Sequence, residues 1–129
     1  MADQLQVELV SADRVVWSGE ATMLTARTTD GEIGVLRNHA PVLSVLLPSS
    51  VQIDAGDERV YAVIDGGFLS VANDRVSILS EHVLLAHEID LSQAEVELEE
   101  ARRLLGTNND AEKRIRRAEA RIRAVEKAS

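Results

Sequence analysis

Two periods divide the chain. From Leu5 to about Leu85 apolar residues recur at alternate positions. Leu5, Val7 and Leu9 alternate with Gln6 and Glu8, Val60, Ala62 and Ile64 with Tyr61 and Val63, and Val76 and Ile78 repeat the habit. A period of two puts alternate side chains on one face of a strand. Turn-forming residues separate the runs at Ser18-Gly19, Asp30-Gly31, Ala55-Gly56-Asp57, Asp65-Gly66-Gly67 and Asn73-Asp74. Short strands at such regular spacing predict an antiparallel β-sandwich or flattened barrel. Asp65-Gly66-Gly67 reads as a hairpin turn or bulge, and no G-x-x-x-x-G-K-[ST] phosphate loop occurs in the chain. The stretch Gly31–Pro41 carries two glycines and a proline and follows neither period, so it reads as a surface loop between two strands. Pro41 holds Ala40 out of the helical region.

At Ile89-Asp90 the period lengthens. Leu91, Ala94, Leu98, Ala101 and Leu105 step by three and four, which is one stripe of a helix over about residues 90–105. Asp90 is a natural N-cap, Gln93 occupies the capping-box position, and Gly106 suits a left-handed stop. After Thr107-Asn108, Asn109 is placed to cap a second helix over about residues 110–127, with the stripe Ala111, Ile115, Ala118, Ile122 and Val125. So short a link makes the two helices antiparallel neighbours. The predicted architecture is mainly β plus α: a sandwich over residues 1–87, then a two-helix hairpin over 88–129. Because half of each stripe is alanine, the hairpin buries little apolar surface by itself, and isolated helices of this length are marginal. It should dock against something larger and be a candidate for movement.

Charge sharpens this division. Of 129 residues, 22 are acidic and 14 are Lys or Arg, giving a net charge of −8 that argues against nucleic-acid binding. Residues 1–87 hold twelve acidic against five basic residues, whereas residues 88–129 hold ten against nine. On the second helix Glu112, Glu119 and Glu126 form one flank of the stripe, and Arg114, Arg117 and Arg121 the other. Lys113, Arg116, Arg123 and Lys127 cover the outer side. Such a face is either a solvated surface or a contact for an acidic partner. The absence of cysteine excludes disulfides and thiolate chemistry. No apolar run approaches a membrane span and Met1-Ala-Asp-Gln opens no signal peptide, so a soluble chain is expected. His82 and His87 with Glu81 or Glu88 match no helical metal-ligand spacing, which leaves catalysis without a candidate site.

Four segments resemble the epsilon subunit of bacterial F-type ATP synthases, in order and over essentially the whole chain. Gly31-Glu-Ile-Gly-Val-Leu-Arg-Asn-His-Ala-Pro41 is similar to that family's loop G-E-[IL]-G-[ILV]-x-x-x-H-A-P. Gly66-Gly67-Phe68-Leu69-Ser70-Val71 with Asp74–Leu79 is similar to G-G-F-x-x-V…V-x-[IV]-L. Glu88-Ile89-Asp90 with Ala94, and Val7–Asp13 with Ser18-Gly19, complete the set.

The resemblance implies a non-catalytic rotor subunit in the central stalk, peripheral on the cytoplasmic face of the bacterial plasma membrane. Its sandwich would bind the gamma subunit and rest on the c-subunit ring. Glu32 and His39 would lie on the ring and gamma side, although His39 also has a reading as a structural histidine under its own loop. The hairpin would lie against the sandwich or extend toward the alpha/beta catalytic hexamer. There Arg114, Arg117 and Arg121 would meet acidic beta-subunit loops and restrain ATP hydrolysis. Some members bind ATP through I-D-x-x-R-A and arginines of the last helix, and Asp90, Arg117 and Arg121 match such contacts. The motif's arginine is Gln93 here, however, which removes a charge and a fork of donors. The resemblance therefore requires no cofactor and weighs against ATP. The competing reading is a free-standing adaptor whose hairpin pairs with a helical partner.

Overall fold

The computed structural model describes residues 4–106 and 110–128; the Asn109 cap and the Thr107-Asn108 link lie outside them. Eight strands are found among the described residues: β1 (Leu5–Val10), β2 (Val15–Ala21), β3 (Met23–Thr28), β4 (Gly31–Leu36), β5 (Val42–Ala55), β6 (Glu58–Ala72), β7 (Arg75–Leu79) and β8 (Val83–Leu85). A 3-10 turn at Ala86–Glu88 leads to α1 (Leu91–Arg103) and α2 (Ala111–Ala128).

The strands run in the order β2-β1-β7-β6-β5-β3-β4, with β8 added to β6. The two long strands make this one sheet into two layers. Leu43 to Leu46 of β5 pair with Gly67 to Ser70 of β6, and that half of β6 continues to β7, β1 and β2. Beyond Pro48 and Asp65 the same two strands pair on toward β3, β4 and β8. Asp65-Gly66-Gly67 is therefore the corner of a continuous strand, not the expected hairpin turn. Gly66 and Gly67 have φ of 78° and 131°, and a Cβ on Gly67 would run into the carbonyl oxygen of Leu79. Only glycine lets β6 turn this corner against β7.

The alternating residues meet between the layers. Leu5, Leu9, Leu24, Val35, Val51, Ile53, Ala62, Leu69 and Ile78 are all fully buried there. Three sequence expectations need correction. Ser18-Gly19 lies inside β2, where Gly19 leaves room for the Trp17 indole; the turn is at Ser11–Arg14, closed by Ser11 N–H donating to the Arg14 carbonyl at 2.9 Å. Gly31–Leu36 is a strand, since Arg27 pairs with Glu32 and Leu24 with the buried Val35; only residues 37–41 form a loop. Finally, β1 and β7 pair in parallel, because β1 is inserted beside a strand that the chain reaches much later.

The hairpin docks on one layer chiefly through α2. α1 packs on α2, and α2 packs on β5 and β6. Alanine permits this: Ala111 and Ala118 are buried within the hairpin stripe, while Ala120 and Ala124 close on Val63 and Ile89. Small side chains let a helix approach a sheet closely. Leu105, expected in the α1 stripe, is exposed beyond the helix end at Arg103. Asp90 caps α1 by accepting from Gln93 N–H at 3.1 Å, while the Gln93 side chain donates to Glu97. Gly106 is left-handed, at φ 91°.

Candidate functional site

The two outer faces of the sandwich differ in kind. On the layer away from the hairpin, register aligns Val45 with Phe68, Phe68 with Leu79, Leu79 with Val10, and Val10 with Val15. These five residues form an apolar row across five strands, roughly 20 Å wide at the usual strand spacing. Val45, Phe68, Leu79 and Val15 are 49%, 55%, 53% and 56% exposed, and Leu43 beside them is 80% exposed. An open apolar surface of that extent marks a protein contact. Alternation hides it from sequence inspection, because each strand contributes one residue and only the pairing joins them.

The tip formed by β3 and β4 carries Glu32. Thr28 Oγ1 donates to the Gly31 carbonyl at 2.9 Å and accepts from Asp30 N–H at 3.1 Å, which fixes the turn. Glu32 is exposed beside Arg27. His39 is half-buried in the next loop, where its N–H donates to the Leu36 carbonyl at 3.2 Å. Its Nδ1 lies 2.7 Å from the Ala40 carbonyl, a contact that needs the proton on Nδ1. Asn38, left-handed at φ 68°, donates its N–H to the Asp74 carboxylate at 2.6 Å and so ties this loop to the β6–β7 turn. Glu32 and His39 therefore sit at opposite ends of β4 and its loop.

The arginines of α2 are divided by the docked hairpin. Arg117 Nε donates to Asp65 at 3.0 Å, joining α2 to the corner of β6, and both side chains are largely shielded. Arg121 donates to Glu97 at 3.1 Å and joins α2 to α1. Arg114 is half-buried with no ion pair among the described residues. Asp90, named with Arg117 and Arg121 as an ATP contact, caps α1, so each of the three has a different partner. Lys113, Arg116, Arg123 and Lys127 are exposed, as expected of the outer side; Arg123 and Lys127 also line a groove beside β3 and β5 with Arg27 and Glu32, and Arg116 lines the adjoining cleft.

Where sandwich meets hairpin, Glu88 accepts from Leu85 N–H at 2.9 Å and from Arg14 at 3.1 Å. The Leu85 N–H, and then the Arg14 guanidinium, hold its carboxyl below the usual glutamate range. The Ser11 hydroxyl, donating at 2.7 Å, lowers Asp13 in the same loop. No group of three or more His, Asp or Glu is arranged to hold a metal among the described residues. No helix among them is long and apolar enough to cross a membrane.

Comparison with known proteins accords with this geometry. Residues 4–86 match the family described as the beta-sandwich domain of ATP synthase delta/epsilon chains. The ATP synthase epsilon chain of Streptomyces avermitilis is 51% identical over 126 residues, covering 97% of this chain and 98% of that one. The ATP synthase epsilon chain of Corynebacterium efficiens is 44% identical, covering 98% and 96%. Among solved structures, a chain of the Euglena gracilis mitochondrial ATP synthase assembly of OSCP, F1 and c-ring superposes with a TM-score of 0.80 at 25% identity, covering 99% of this chain and 82% of that one. A chain from the central stalk and c-ring of the Tetrahymena thermophila enzyme shares the fold, with a TM-score of 0.59 at 15% identity over 96% and 95%. The chain belongs to the ATP synthase epsilon chain family.

Proposed function

We propose that this chain is a non-catalytic subunit of the central stalk, which couples the rotor to the catalytic head from the cytoplasmic face of a bacterial plasma membrane. The observation that carries the proposal is the bare apolar row Val15–Val10–Leu79–Phe68–Val45. A surface of this kind excludes water only when another protein covers it. We assign it to the gamma subunit, while the β3–β4 tip with Glu32 and the loop with His39 face the c-ring and its junction with gamma. Residues 1–87 thus seat the chain, and residues 88–129 regulate.

In the regulatory reading α2 leaves the sheet and presents Arg114, Arg117 and Arg121 to acidic beta-subunit loops. Arg117 holds Asp65 of the sheet in the docked state, while Arg121 holds Glu97 within the hairpin, so release from the sheet and inhibition both draw on Arg117. Inhibition therefore competes with docking. No cofactor enters this proposal: Asp90, Arg117 and Arg121 are each engaged by a different partner. The test is reconstitution with purified gamma. Leu79→Glu should abolish stable association while the isolated chain keeps its fold, and wild-type affinity for gamma in that variant would refute the assignment. A chain that bound helical partners and ignored gamma would favour the adaptor reading instead.

A further inference from the structure

The open face of the sandwich carries more than its apolar row. Side chains alternate along each strand, so a second row lies two residues away, about 7 Å along the strands. Register joins Ser18, Glu8, Ser77, Ser70 and Leu43 into that row, and all five are exposed. A third row holds Glu20, Gln6, Arg75 and Ala72. Glu20 accepts from the Gln6 amide at 3.1 Å. The Glu8 carboxylate and the Arg75 guanidinium make no ion pair among the described residues. Yet they are diagonal neighbours across β1 and β7, about 8 Å apart at the usual strand spacing and rise. Small Ser77 beside them leaves a hollow of about 360 Å³, bounded by Gln6, Glu8, Ser18, Arg75 and Ser77.

Position in this grid decides what the partner must carry. An element of helix width, about 10 Å, that covers the apolar row also covers the row beside it, and Glu8 with it. A carboxylate taken out of water without a partner is costly. Apolar contact is also non-directional and lets a partner slide along the face, whereas a charge pair fixes one register. We propose that Glu8 is the specificity residue of this seat, opposed in the complex by a Lys or Arg side chain of the gamma subunit that enters the hollow beside Ser77. Arg75, one row farther out, lies on the rim and meets an acidic group there. Exposed ion pairs are weak, so keeping both charges free for a partner takes little from the isolated chain. This inference rests on gamma being the occupant of the apolar row.

The experiment measures association of the full chain with purified gamma, by surface capture at several sodium chloride concentrations. Glu8→Lys should weaken binding at least about thirtyfold, chiefly through faster dissociation, as loss of a covered charge pair does. Glu8→Gln, which keeps the shape, should lose about tenfold in the same way. Arg75→Gln should change affinity less than about fivefold, mainly through the association rate and its salt dependence. Glu95→Gln on α1 should change neither, and all four variants should keep the wild-type urea midpoint. Among charge reversals of gamma's basic residues, one should restore binding of Glu8→Lys. Wild-type affinity in both Glu8 variants, or the lack of any restoring reversal, would overturn the inference. Phe68→Glu keeps that failure distinct from failure of the seat. If it too binds gamma normally, the seat is wrong; if it alone loses binding, the seat stands and Glu8 has no part in it.

Discussion

The two outer faces of this sandwich start from the same alternating strands and end in opposite states. On one, Val63 and the polar residues around it are covered by α2, whose Ala120 and Ala124 close the contact. On the other, Val45, Phe68, Leu79 and Val15 lie open across the sheet, joined through the half-buried Val10. A small-residue helix with charged flanks makes a reversible cover. A broad row of large apolar side chains makes a seat that is stable only when occupied. On the function proposed above, the difference separates a regulatory contact within the chain from an assembly contact outside it.

Removing the corner that creates both faces should have the largest effect. Gly67→Ala combines a conformation only glycine accepts with a clash against the Leu79 backbone. It should cost at least ~3 kcal/mol and lower the urea midpoint of the whole sandwich; an unchanged midpoint would mean that β6 can bend elsewhere. Next comes the open face. Phe68→Glu should leave stability within about 0.5 kcal/mol, as an exposed substitution does, yet weaken association with gamma by more than about thirtyfold, the scale of a hot-spot loss. Titration by fluorescence or surface capture decides this.

The covered face should respond in the reverse sense. Ala124→Leu overfills a contact with no free space and should cost about 1–3 kcal/mol, seen as faster amide exchange in α2 while β1 to β7 stay protected. Loss of gamma binding in this variant would erase the distinction between the faces. Arg117→Ala removes the pair to Asp65 and should loosen docking by about 1 kcal/mol, more at low salt, where screening is weak. The smallest effect concerns the junction of sandwich and hairpin at Glu88. Glu88 has a folded pKa below its ordinary value, so its contribution is present above that ordinary value and is lost as pH falls through the folded one. The Leu85 amide resonance should therefore shift at pH below the usual glutamate range, and Glu88→Gln should remove that step.

Much of this arrangement was legible in the residues. The change of period at Asp90 located the hairpin, and period-two runs located most of the core, because both depend on local spacing. What escaped depends on distant pairing. β4 was concealed because Gly31 and Gly34 break its alternation, and Asp65-Gly66-Gly67 looks like a turn until β7 is known to pass beside it. Ala120 and Ala124 lie off the main α2 stripe and gained meaning only from Val63 beneath them. Glu32, His39, Arg114, Arg117 and Arg121 were nameable from motifs and faces, but the partners Asp65 and Glu97 were not. The apolar row was invisible because five strands each supply a single member.

On the proposed function, this open row is the seat of the chain in the ATP synthase. Oxidative footprinting of Phe68 and Leu79, in the isolated chain and in the assembled enzyme, tests it most directly. Both side chains should label readily in the free chain and become protected on assembly, while exposed Val96 on α1 keeps its rate. Equal labelling of Phe68 and Leu79 in the two states would contradict the account.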